Sequence, residues 1–92
     1  GHQGSVNTVA FSPDGQTILS GGADTQVILW NVLTGEIVRR MVGHRGAVLA
    51  VAFHPDGLQA VSCGEDFTAR LWSLETGDEL QHLIARLYNL HE

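Results

Sequence analysis

The chain repeats itself at a fixed spacing. The stretch from Phe11 to Trp30, FSPDGQTILSGGADTQVILW, returns from Phe53 to Trp72 as FHPDGLQAVSCGEDFTARLW. The offset is 42 residues throughout, with Phe11 on Phe53, Pro13 on Pro55, Ser20 on Ser62, Asp24 on Asp66 and Trp30 on Trp72. Residues 1–42 and 43–84 are identical at 17 of 42 positions. A period of this length marks stacked or radial repeat architectures, in which one unit cannot bury its apolar face alone. The sequence therefore divides into a first unit (1–42), a second unit (43–84) and a tail (85–92).

Within each unit, short apolar runs alternate with turn chemistry, which predicts an all-β fold of four strands per unit. Val6–Phe11 is apolar nearly throughout and suits a strand packed on both faces. Ser12-Pro13-Asp14-Gly15 has the residue preferences of a type I turn. Thr17–Gly21 follows, and Gly21 and Gly22 are expected to let the backbone bend sharply. Gln26–Asn31 is the third strand, Leu33-Thr34-Gly35-Glu36 a hairpin loop, and Ile37–Val42 the fourth strand. Arg39 and Arg40 in that strand suit a solvated edge that resists pairing with other chains. The second unit gives Val48–Phe53, a turn at His54-Pro55-Asp56-Gly57, Gln59–Cys63, Thr68–Ser73 and a loop at Glu75–Asp78. Repeat register makes 79–84 the last strand. Leu80, Leu83, Ile84, Leu87 and Leu90 also trace a helical stripe, so the expectation is a strand over 79–84 and a frayed or helical tail beyond it.

Charge and cysteine usage narrow the partners. The net charge is −5, with the excess of acids mostly in the second unit. That balance argues against nucleic acid or an anionic membrane as the main partner. No apolar run approaches the roughly 20 residues of a membrane span, and no signal peptide is recognisable. Cys63 is the only cysteine, which fits a reducing compartment and leads to an expected cytoplasmic location. In mid-strand, Cys63 is expected to be a small buried residue.

Taken together, these residues resemble the WD40 repeat family. Each unit opens on Gly-His (Gly1-His2, Gly43-His44), carries the Pro-Asp-Gly turn and ends near a tryptophan. The resemblance implies that each unit is one four-stranded antiparallel blade of a β-propeller. It further implies a hydrogen-bonded set inside each blade: His2, Ser20, Asp24 and Trp30, then His44, Ser62, Asp66 and Trp72. The sequence departs from the family after each tryptophan, where Asn31 and Ser73 stand in place of Asp.

Such a set has a plain physical sense. Trp only donates, Ser donates and accepts, neutral His does one of each, and Asp only accepts. A relay from indole to hydroxyl to imidazole to carboxylate leaves no buried donor unmet, and an orphaned one costs about 1–3 kcal/mol. His, Ser and Asp also suggest a hydrolase triad, but a triad needs an exposed nucleophile and an oxyanion site. Recurrence once per blade, each time with a Trp, favours structure. No Cys/His cluster has metal-ligand spacing, and Gly21-Gly22 lacks the spacing of a phosphate loop. No catalytic residue, cofactor or metal is expected.

The resemblance also says where a partner would bind, since WD40 propellers take proteins or peptides across one face near the channel. Carried over by position, the residues presented there are Gln3, Ser5 and Ala23 in the first blade and Arg45, Ala47 and Glu65 in the second. Phe67 adds a possible apolar contact at the rim. The expected function is a non-catalytic protein or peptide interaction scaffold. The alternative is a regulatory or substrate-recruiting segment of a larger enzyme such as a kinase or protease. Closed propellers have about 4–8 blades, so the expectation is either a homo-oligomer of four or three chains or a fragment of a longer propeller.

Overall fold

The computed structural model describes residues 3–84, and among them it contains eight strands and no helix. They are β1 (Val6–Phe11), β2 (Thr17–Gly22), β3 (Gln26–Asn31), β4 (Ile37–Val42), β5 (Val48–Phe53), β6 (Gln59–Gly64), β7 (Thr68–Ser73) and β8 (Glu79–Ile84). Two antiparallel sheets result, in the orders β1-β2-β3-β4 and β5-β6-β7-β8. Both have the same register, including irregularities between Val6 and Thr8 and between Leu29 and Trp30 that return at Val48/Ala50 and Leu71/Trp72. The expected all-β pair of four-stranded blades is what forms. The last strand is β8, as repeat register required; the expectation for residues 85–92 lies outside the described residues.

The turns follow from their residues. Gly15 N–H donates to the Ser12 carbonyl at 3.0 Å, and Gly15 takes φ 73°, a left-handed value that suits glycine. Asp14 stiffens the turn by accepting from the Ser12 hydroxyl at 2.6 Å and from the Gln16 N–H at 2.9 Å. Those two bonds hold its carboxyl below the usual carboxylate range.

The core lies between the two blades. Leu19, Val27, Leu29 and Met41 on one face of the first blade meet Val48, Ala60, Trp72 and Leu74 of the second, with Val51 and Phe53 packed against them. β5 closes on β2 so tightly that glycine is required opposite it. A Cβ on Gly21 would stand 2.4 Å from Val48 Cγ1 and 2.9 Å from Val48 Cβ.

Three expectations change here. Gly21 and Gly22 do not bend the chain; they are buried inside β2, and the role of Gly21 is close approach. Cys63 is exposed, because its face of β6 has no blade against it. Arg39 does not guard an edge. It points onto the covered face, where its guanidinium donates from Nε to the Leu74 carbonyl at 3.4 Å and from Nη2 to the Glu75 carbonyl, tying β4 to the loop after β7. Its neighbour Arg40 is exposed and reaches Gln26 Oε1 at 2.8 Å.

Candidate functional site

The site begins with four side chains of the second blade. Trp72 Nε1–H donates to Ser62 Oγ at 2.8 Å, and Ser62 Oγ lies 2.6 Å from His44 Nε2. His44 Nδ1 faces Asp66 Oδ1 and Oδ2 at 3.1 and 3.2 Å. Donor arithmetic fixes every proton. The indole can only donate, so Ser62 gives its own proton to Nε2, and Nδ1–H points at the acceptor-only carboxylate. The four residues that the family resemblance implies as a set make these bonds in the second blade.

Four further residues join it. Thr68 Oγ1 donates to Asp66 Oδ1 at 2.8 Å and accepts from Arg70 Nε at 3.2 Å. Arg70 also lies 3.6 Å from Asp66 Oδ2 and pairs with Glu79, which in turn contacts His82 Nδ1 at 3.1 Å. A period-2 signal could have found two of these. Thr68, Arg70 and Trp72 alternate along β7 and so share a face.

Burial alone would raise the Asp66 pKa. The Arg45 N–H, the Thr68 hydroxyl and His44 outweigh it and hold the carboxyl well below its ordinary range. Burial also opposes ionisation of Glu79, and Arg70 and His82 overcome it, so Glu79 too is lowered.

This geometry supports no hydrolytic chemistry. Ser62 is 1% exposed and sits between the blades, its hydroxyl committed to Trp72 and His44. A substrate carbonyl has no route to it. Among the described residues, no group of three or more His, Cys, Asp or Glu side chains could hold a metal ion.

What the network does is fix two loops. The Arg45 N–H donates to Asp66 Oδ2 at 2.9 Å, and the Glu65 N–H donates to the Ala47 carbonyl at 2.8 Å. Arg45, Ala47, Glu65 and Phe67 are thereby gathered on one rim of the blade. The first blade repeats the plan. The Gln3 N–H donates to Asp24 Oδ2 and the Ala23 N–H to the Ser5 carbonyl, both at 2.8 Å, while Trp30 Nε1–H donates to Ser20 Oγ at 2.8 Å. Gln3, Ser5 and Ala23 form the matching rim. His2 falls outside the described residues.

The rims differ in what they display. Gln3, Ser5, Ala23 and Thr25 are uncharged, and none is large and apolar. The second rim shows Arg45, Glu65 and a Phe67 that is 68% exposed. Thr25 and Phe67 take φ 74° and 62°. A bulky aromatic rarely holds a left-handed backbone, and here the turn holds it while its ring faces water.

Comparison with known proteins agrees with this architecture. The family described as "WD domain, G-beta repeat" matches residues 1–31 and 35–73. The chain is 57% identical over 35 residues to a periodic tryptophan protein 2 homolog of Dictyostelium discoideum, covering 38% of this chain and 4% of that protein. It is 53% identical over 36 residues to small ribosomal subunit protein RACK1 of Medicago sativa, covering 39% and 11%. WD repeat-containing protein 38 of Mus musculus is 43% identical over 42 residues, covering 46% and 14%. The matches thus span only a small part of each relative.

Proposed function

This chain belongs to the WD40 repeat family, and from that premise we propose that it is a non-catalytic scaffold binding a protein or peptide on the rim of its second blade. The observation that carries this reading is Phe67, exposed and held in a left-handed turn on the rim that also shows Arg45 and Glu65. Strained conformations persist where surrounding structure over-determines them, and they concentrate at functional sites. Aromatics and arginine are the side chains that supply binding hot spots. Asp66 immobilises the loops that carry Arg45 and Phe67, which lowers the ordering cost of association. The first rim, Gln3, Ser5 and Ala23, serves as a complementary surface without an anchor. The scaffold is completed by further blades, from other copies or from a longer chain, and acts in the cytoplasm. What supports that location is that Cys63, the single cysteine, is a free thiol, as fits a reducing compartment. Among the described residues no helix is long and apolar enough to cross a membrane.

The test is selection of a displayed peptide library on the chain, followed by titration of the enriched peptides. Phe67→Ala and Arg45→Ala should each weaken binding about fivefold or more, the effect of losing a hot-spot side chain. Gln3→Ala should change it little. Peptides that bind both of the first two variants as well as wild type would overturn the reading.

A further inference from the structure

We infer that the chain carries a second docking surface, an apolar groove at the seam between its two blades that takes a basic segment of a partner protein. The groove lies at the opposite ends of the strands from the rim. β1 runs from the Ser5 loop to the turn at 12–15, so its six residues separate the two ends by about 20 Å. Four connections gather at the far end: 12–16, 32–36, 54–58 and 74–78. Main-chain bonds hold them in pairs, with the Val32 N–H donating to the Gln16 carbonyl and the Leu74 N–H to the Leu58 carbonyl, both at 3.0 Å.

The charge of this end is one-sided. Its connections hold Asp14, Glu36, Asp56, Glu75 and Asp78, half of the ten acids in the chain, and no lysine or arginine. The basic side chain that reaches it is Arg39, whose bonds go to the Leu74 and Glu75 carbonyls rather than to a carboxylate. Among the described residues, Asp14 and Glu75 have no basic partner, and Asp56 meets only the ring of His54, at 3.1 Å. The bonds from Ser12 and Gln16 that lower the Asp14 pKa keep that carboxylate charged.

Shape selects the occupant. Between the blades lies a cleft of about 310 Å³. Leu29 and Leu74, 5% and 8% exposed, form an apolar floor, and Leu58 extends it toward solvent. Asp14 stands on the margin from the first blade, and Asp56 and Glu75 stand on the margin from the second. Both walls belong to adjoining blades of this chain, so the groove is independent of whatever packs on the open faces. Arginine and lysine fit such a place, because the aliphatic stem lies on leucine while the charged head meets a carboxylate. A metal ion does not fit, since among the described residues no three acids come together closely enough to hold one. Carboxylates spread along a groove match a peptide bearing several positive charges, and such complementarity steers encounter and sets specificity.

Fluorescence anisotropy of a labelled hexa-arginine peptide, titrated with the whole chain, tests this. Binding should saturate and should weaken as salt rises. Asp14→Asn combined with Glu75→Gln should weaken it about fivefold or more, the scale of losing two exposed charge pairs. Asn at 14 keeps an oxygen for the Ser12 and Gln16 donors, so the turn survives. Glu36→Gln combined with Asp78→Asn removes the same charge from the same end but outside the cleft, and should change binding less than about twofold. Leu58→Ser should weaken binding with the salt dependence unchanged, because it removes floor rather than charge. Equal losses in the two double variants would show that net charge alone attracts the peptide, and would overturn the inference, as would a wild type that does not bind. Calcium alone should not bind. A calcium affinity abolished by Asp14→Asn with Glu75→Gln would make the cleft a metal site and overturn the inference too. None of these results touches the rim, which lies at the other ends of the same strands.

Discussion

The two blades place the same residue types in opposite surroundings. Val48 is fully buried while Val6, its counterpart, is 52% exposed. Val51 and Phe53 pack on the core, whereas Val9 and Phe11 are 59% and 64% exposed. Trp72 is 1% exposed and Trp30 is only half-buried. Local sequence is the same at each pair, and so are strand, register and turn. What differs is the neighbour: the inner face of the second blade has one, and the equivalent face of the first does not. Burial in a repeat protein is thus set by stacking order, as expected where each unit contacts only those beside it. The blades also differ in the polar set around their aspartates. Thr68, Arg70 and Glu79 surround Asp66 and its neighbours, where the first blade has Gln26, Ile28 and Ile37.

The two blades differ most sharply where β5 meets β2. Gly21→Val forces a branched side chain where Val48 already lies within 3 Å of any Cβ, and should destabilise by about 3 kcal/mol or more. Cys63→Val, at the equivalent open position, should change stability by no more than about 0.5 kcal/mol in the single chain. Chemical denaturation of both variants checks this, and equal losses would show that the blades are not distinguished by stacking.

Next in size is Asp66→Ala. It orphans the Arg45 and Thr68 N–H groups, the Thr68 hydroxyl and His44 Nδ1, and should cost about 2–4 kcal/mol. Asp14→Ala, in an exposed turn, should cost much less. The same pair sharpens the pH dependence. The Asp66 pKa is depressed in the folded state, so its contribution is present above the unfolded carboxylate pKa of about 3.9 and is lost as pH falls through the lower folded value. Wild-type denaturation midpoints should fall steeply below about pH 4, and those of Asp66→Ala should fall less. A variant that loses stability in acid as steeply as wild type would remove Asp66 from the account.

The smallest expected effect concerns the tie across the seam. Arg39→Met keeps most of the apolar stem but removes two hydrogen bonds to carbonyls, and should cost about 1 kcal/mol. Arg40→Met, outside the seam, should stay within about 0.5 kcal/mol. Thermal unfolding of the two would separate a clamp from an ordinary surface arginine.

Much of this was legible in the sequence because the repeat states it twice. Strand bounds emerged to within one residue from Pro-Asp-Gly turns, apolar runs and the terminal tryptophan. The members of the Trp72–Ser62–His44–Asp66 relay came from the family resemblance, and donor and acceptor counts gave only their order. Cys63 and Gly21 were misjudged for one reason, that their surroundings come from another blade rather than from adjacent residues. Arg39 misled likewise: a charged pair in an outer strand suggests a guarded edge, and only the packed blades show its reach to Leu74 and Glu75. The strained turn at Phe67 had no sequence signal, because left-handed positions normally announce themselves by glycine or asparagine.

If the buried relay holds the rim in place, amide hydrogen exchange will report it. The Arg45 and Thr68 N–H groups both donate to Asp66. In wild type at neutral pH both amides should exchange slowly although Arg45 is exposed. In Asp66→Ala they should exchange at nearly the free rate while the β6–β7 ladder amides remain protected. An Arg45 amide that exchanges freely in wild type, or that keeps its protection in the variant, would contradict the account.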